Sequence, residues 1–232
     1  MIIIDAGHGG FDPGGGSNAY FKEKDLTKKI SDYQKNRFDE LGIPSVLTRT
    51  YDETLTPDER INKISSFNPK PSDILISNHI NNGGSKGAEV IYSIKSDNEL
   101  PQMIANELSK TGVNIRNVYT KQNRLGKDYY FIMRDTIPNK SMIIEYGFAD
   151  NDEDLYRLLY NWPELAEATV KAITNYYQIP YTPPKTTTYI VKPNDTLYII
   201  SENFNTTIDK IKKDNNLNTN MIYPGATLII SW

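Results

Sequence analysis

The chain has 232 residues, a formal net charge of -3, 38% hydrophobic residues and no cysteine. This length supports one sizeable core and a small second one, and the slight acidity gives no long-range attraction for nucleic acid or an anionic membrane, so neither is expected as a partner. Without cysteine there is no disulfide, no thiol chemistry and no thiolate-rich metal site.

The first predicted element is a strand over Ile2-Ile3-Ile4, β-branched and without a polar interruption, as in a strand covered on both faces of a parallel sheet. It breaks into Asp5-Ala6-Gly7-His8-Gly9-Gly10, whose glycines allow an unusual backbone path and leave His8 just past the strand's carboxyl end. A glycine-rich loop, Phe11 to Phe21, leads to a helix over Asp25 to Leu41, with Leu26, Ile30, Tyr33 and Phe38 at near-helical spacing and Gly42 as its stop. Glu23 lies at the mouth of this helix, where the dipole favours a carboxylate whether or not it holds a ligand.

Pro44 to Thr48 reads as a strand. Thr56-Pro57-Asp58-Glu59 opens a second helix, with an N-cap threonine and proline at the first helical position. Ser72 to Ser77 is the next strand and runs at once into Asn78-His79; Ala88 to Lys95 is another, and Glu99 to Thr111 a helix. Asn114 to Asp135 mixes basic residues with tyrosines and reads for the most part as solvated surface, the lining of a substrate groove being the other reading. Ser141 to Gly147 is an apolar strand interrupted by Glu145, and Trp162 to Tyr177 a helix with Leu165, Ala166, Thr169, Val170 and Ile173 on one face.

Strand and helix alternate throughout, which predicts an α/β fold with a mostly parallel sheet flanked by helices. In such a sheet the ligand crevice lies at the carboxyl ends of the strands, so His8, His79 and Glu145 converge there from three separate stretches. Two histidines with carboxylates suit a catalytic zinc site that keeps an open position for water.

The composition then shifts. Ile179 to Thr188 has three prolines and four threonines without periodicity, as in an extended linker. Tyr189 to Trp232 reads strand, helix, helix, strand, with a small core expected from Ile190, Leu197, Ile200, Phe204, Ile208, Ile211, Leu217, Leu228 and Ile230. Residues 1–178 are thus expected to form one domain, 179–188 a spacer and 189–232 a second domain, with the first folding independently of the second.

Four stretches together carry a family resemblance: Asp5-Ala6-Gly7-His8-Gly9-Gly10, Lys22-Glu23-Lys24-Asp25-Leu26, Ser77-Asn78-His79-Ile80-Asn81 and Ile144-Glu145-Tyr146-Gly147-Phe148-Ala149-Asp150-Asn151. In this order they resemble the motifs of the zinc-dependent N-acetylmuramoyl-L-alanine amidases. The resemblance implies Zn2+ held by His8, Glu23 and His79, a catalytic role for Glu145, and cleavage of the amide between N-acetylmuramic acid and L-alanine in peptidoglycan. It departs from the family in the second histidine motif, usually an apolar residue followed by His-Ala-Asn and here Asn78-His79-Ile80-Asn81, a change expected to alter the groove rather than metal binding.

The tail is similar to a LysM module in Tyr189 to Ile200 and Leu217 to Leu228, with Asn194 where glycine is common. That similarity implies binding of N-acetylglucosamine-containing glycan through Asp195, Thr196 and Leu197 and through Ile222, Pro224 and Gly225. A zinc peptidase acting on the stem peptide and a non-catalytic wall-binding protein are the alternatives. No stretch is long and apolar enough to span a bilayer, and no secretory signal is present in the sequence, which together with a wall-binding module leads to the expectation of an endolysin, made in a host cytoplasm and acting at the cell wall.

Overall fold

A computed structural model describes residues 1–204 and 206–231. Its centre is a six-stranded sheet in the order β2-β1-β3-β6-β4-β5, formed by β1 (Ile2–Ala6), β2 (Ser45–Leu47), β3 (Ile74–Asn81), β4 (Ala88–Tyr92), β5 (Ile115–Tyr119) and β6 (Lys140–Phe148). All neighbours pair in parallel except β4 and β6. The mostly parallel α/β sheet expected from the sequence is therefore present.

The unbroken apolar strands follow from cover on both faces. Ile2, Ile4, Ile74, Ile76, Met142 and Ile144 point into the larger core, beneath α1 (Glu23–Glu40), α3 (Glu99–Ser109) and α6 (Trp162–Tyr176). Ile3, Leu75 and Ile143 point the other way, into a smaller core with Ile64 of α2 (Pro57–Ser66) and Ile132 and Met133 of α4 (Phe131–Arg134). Each such side chain contributes about 1.5–3 kcal/mol on burial. Helix α1 ends where Gly42 adopts φ 69°, and α2 begins in a full capping box between Thr56 and Glu59, both as the sequence signals.

Three elements of this part escaped the sequence reading. Strand β5 and the short α4 lie inside the segment read mainly as solvated surface, and α5 (Asp152–Tyr160), capped by Asn151, was not anticipated. Strand β3 also runs on through His79 to Asn81, so this histidine sits within the strand's final pleats rather than beyond them.

The tail forms β7 (Thr186–Ile190), α7 (Leu197–Asn203), α8 (Ile208–Asp214) and β8 (Thr227–Ser231), with β7 and β8 antiparallel. Its own core holds Val191, Leu197, Ile200, Ile211, Leu228 and Ile230. Ile190, expected inside, is 44% exposed, and Val191 is the buried neighbour. The strand begins at Thr186, three residues earlier than expected, and Tyr189 and Val191 take the inward positions around Ile190. Ile229 is buried too, but in the larger core of the sheet, so β8 presents one face to each core. No helix among the described residues is long and apolar enough to cross a membrane.

Candidate metal centre

At the end of β1 the backbone turns through Gly7 into His8, which takes φ 61°, a left-handed conformation uncommon for a side chain of this size. Two buried arginines hold it there. Arg60 donates to the carbonyls of Ala6 and His8, each at 2.9 Å, and pairs with Asp5 at 2.5 Å. Arg49 donates to the carbonyls of Ala6 (3.1 Å), Gly7 (3.3 Å) and Lys24 (2.6 Å), and so ties the His8 turn to the first turn of α1. Asp5 also accepts from Thr48 and Ser77, each at 2.6 Å. Burial alone would raise its pKa, but Arg60 and these hydroxyls hold it below the ordinary value.

Glu23 is the first residue of α1, and its carboxylate is aimed by backbone amides: Oε1 accepts from Ile80 at 2.9 Å and Oε2 from Gly16 at 2.8 Å. Its Oε1 lies 3.1 Å from His8 Nε2 and 3.2 Å from His79 Nδ1. The two imidazoles stand edge to face with centroids 5.0 Å apart. Gly7 is required by this packing, because a Cβ there would fall 2.4 Å from His79 Cε1. One donor atom from each of His8, Glu23 and His79 lies within 4.8 Å of the others, a group that can bind a metal ion. His8 Nδ1 is meanwhile held by Asp12 at 2.7 Å, the kind of outer partner that orients a ligating imidazole.

The electrostatics agree with a site built for a cation. Burial opposes a charge on His8, yet its bonds to Glu23 and Asp12 override this and raise its pKa to about 9. Burial likewise opposes ionised Glu23, but His79 and His8 hold its carboxyl well below the usual range. Two imidazoles and a carboxylate with this geometry are a borderline-soft donor set that fits zinc.

Glu145 sits beside His79 in the β3–β6 register. Its Oε2 is shielded from solvent and has no hydrogen-bond partner among the described residues, and burial pushes its pKa up to about 7. The side chain faces a pocket of about 230 Å³ whose polar wall carries His8 and His79 and whose apolar wall carries Leu55, Tyr130 and Phe131.

Several residues here were missed from sequence. Glu89 is buried on β4 directly opposite Glu145 and is paired with Arg116 and, at 3.0 Å, with Asn81. A lone charge in the apolar run of β4 is the same signal that marked Glu145, and it was there to be read. Tyr130 comes from the segment given over mainly to solvent; that reading holds for the exposed Arg116, Arg124 and Lys127, although Arg116 reaches Glu89, but not for Tyr130. Ile80 corrects another expectation: it is 3% exposed and packs in the larger core, so its departure from the family pattern reshapes the core and not the groove.

In the tail, Asn194 is left-handed at φ 71°, as its place in the motif implies. Asp195 accepts from the Lys192 amide and the Tyr189 hydroxyl, both at 2.7 Å, and Thr196 caps α7. The Leu197 side chain is 2% exposed and belongs to the core, so it does not face a sugar as expected. The large side chains that do stand out are Tyr198, Met221 and Tyr223, each more than 60% exposed.

Residues 2–175 match the family described as N-acetylmuramoyl-L-alanine amidase, and residues 189–231 match the LysM domain. The chain belongs to the N-acetylmuramoyl-L-alanine amidase family. It joins a peptidoglycan amidase to a wall-binding module, and peptidoglycan is both substrate and binding partner. The chain is 30% identical over 181 residues to the uncharacterized protein YqiI of Bacillus subtilis, spanning 76% of this chain and 84% of that one. It is 27% identical over 161 residues to the sporulation-specific N-acetylmuramoyl-L-alanine amidase of the same organism, covering 68% of this chain and 59% of the relative. Among solved structures, the amidase AmiC2 of Nostoc punctiforme shares the fold with a TM-score of 0.66 at 24% identity, over 76% of this chain and 96% of that one. The CwlD amidase of Clostridioides difficile, solved in complex with the GerS lipoprotein, superposes with a TM-score of 0.63 at 25% identity, over 77% and 98% of the two chains.

Proposed function

We propose that this amidase is zinc-dependent, with His8, Glu23 and His79 holding the ion and Glu145 acting as general base and then general acid. The observation that carries this reading is the convergence of three donor atoms within 4.8 Å beside a shielded carboxylate oxygen that has no partner among the described residues. When bound, zinc supplies a Lewis acid that polarises a carbonyl and acidifies water.

The chain's own residues do the rest. Glu145, with its pKa pushed up toward neutrality, is suited to take a proton from the attacking water and return it to the leaving amine, because a base works best when its pKa lies near the working pH. Asp12 keeps His8 presenting Nε2 inward. The apolar wall of Leu55, Tyr130 and Phe131 limits water around the scissile bond, which strengthens each electrostatic contact in the pocket. The bond cut is the amide joining the lactyl group of N-acetylmuramic acid to L-alanine, with residues 1–178 as the catalytic part and, after the connection, a LysM part that takes in the whole of β7 from Thr186.

Digestion of purified walls tests this reading. New L-alanine amino termini should appear, and should stop appearing when the metal is chelated. New termini at any other residue would indicate a peptidase, and full activity in the presence of a strong chelator would exclude the metal.

A further inference from the structure

The tail does not hang from a loose spacer. Ile229 of β8 packs in the amidase core, Thr227 donates to the Leu159 carbonyl at 3.2 Å, Asn216 donates to Asp32 at 3.0 Å, and Arg37 donates to the Thr182 carbonyl at 2.7 Å. These contacts leave a crevice of about 370 Å³ between α1 and the segment that joins α8 to β8. Its floor is the edge-to-face pair Tyr33 and Trp162, with centroids 6.2 Å apart. Met221 and Tyr223 form the opposite wall, and Lys29 and Asn36 stand exposed on the rim.

We infer that this crevice is a glycan-binding site shared by the two halves of the chain, and that its occupant is a sugar unit of a peptidoglycan glycan strand. Tyr33 and Trp162 are buried and close the floor, so it is the exposed ring of Tyr223 and the thioether of Met221 that suit the apolar C–H face of a pyranose, while an ammonium and a carboxamide at the rim suit its hydroxyl and acetamido groups. The volume lies at the lower end of the range for small-molecule sites, as a single sugar requires.

Continuity fixes the choice of occupant. On one side the wall is built by Met221 and Tyr223, within the segment that matches the LysM domain. On the other, a shallower depression shares Lys29, Asp32, Asn36 and Asn216 with the crevice and extends along α1 to Tyr51 and Asp52. Asp52 in turn accepts from the Gly10 amide at 2.7 Å and pairs with Lys24, at the edge of the turn that carries His8. The crevice therefore opens into a trough that leads from the wall-binding module toward the metal centre, and a strand lying in it is presented to the amidase in a fixed direction. This rests on the peptidoglycan reading of both domains.

The test uses the full-length chain and an N-acetylglucosamine hexamer as probe. Calorimetry on the parent and on two variants, Lys29→Ala combined with Asn36→Ala, and Asn36→Trp, reads the shared site, and amide shifts of the parent on titration read it without any substitution. The hexamer should shift amides in α1 around residues 29–36 together with those around 221–223, and both variants should bind it on the order of tenfold more weakly, the first through the loss of two hydrogen bonds and the second because the added indole fills the rim. Shifts confined to the tail, with unchanged affinity in both variants, would overturn the inference. Turnover of a soluble muropeptide by the parent is measured separately, so failure of the amidase reading is seen there and not in hexamer binding.

Discussion

The carboxyl end of the sheet and the docked tail use buried strands in opposite ways. In β1, β3 and β6 the alternating side chains enter two cores that both belong to the amidase, and the polar residues that interrupt them are engaged in building the site. Asp5 anchors Arg60, His79 faces Glu23, and Glu145 faces the pocket. In β8 the two faces enter different cores, one made by the tail's own helices and one by the amidase. A polar group in an apolar strand therefore signals chemistry, whereas an apolar group in a short strand does not say whose core it fills.

Glu145→Gln breaks the first half of that comparison most sharply. The amide keeps the shape of the side chain but cannot take a proton, so turnover should fall by about 10²- to 10⁴-fold while metal content and folding are kept. Steady-state rates on a soluble muropeptide, with metal analysis of the same sample, check this; parent-level turnover would reduce Glu145 to a structural group.

Arg49→Met is next. Arg49 bridges the His8 turn and the start of α1 through carbonyls alone, so its loss should let His8 and Glu23 drift apart and weaken metal binding by about 10- to 100-fold, as for other groups that orient ligands. Competition with a chromophoric chelator measures this. An unchanged affinity would mean that the glycine turn holds His8 unaided.

The rate should also depend on pH with a sign that Glu145 sets. Because burial raises its pKa to about 7 before a cation is added, and a cation lowers it, kcat/KM should rise with pH and level off at or below about 7. A rate that falls as pH increases through this range would mean that the protonated acid is the active form.

The smallest effects test the tail. Ile229→Ala should cost about 2–5 kcal/mol, as a large-to-small change in a core, and lower the unfolding midpoint of the amidase part although the residue lies in the tail. Ile190→Ala should stay within about 0.5 kcal/mol, because that side chain is exposed. Equal effects in thermal melts would contradict the assignment of the two faces.

The same contrast explains how much of the molecule is legible in its sequence. The α/β class, the order of most elements and the convergence of His8, His79 and Glu145 followed from local pattern, because a parallel sheet brings the carboxyl ends of its strands together regardless of detail. Glu23 needed the family resemblance, since a carboxylate at a helix start is favourable without any ligand. Arg49, Arg60 and Asp12 were hidden because their partners are mostly backbone carbonyls and a side chain made adjacent by the turn, and no spacing encodes those. Ile190 was misplaced for the same kind of reason: the period of β7 was clear, but its phase depends on where the strand begins. The contacts of Ile229 and the Arg37 bond to Thr182, which make the connection and tail part of the surface that covers α1, are likewise encoded by no spacing in the sequence.

Zinc titration of the metal-free full-length chain, by calorimetry in parallel with His8→Ala and His79→Ala, tests the central claim most directly. The parent should bind one equivalent, more tightly as pH rises toward about 9 because the proton held on His8 competes with the ion, and each variant should lose most of that binding. One equivalent bound with parental affinity in both variants would contradict the account.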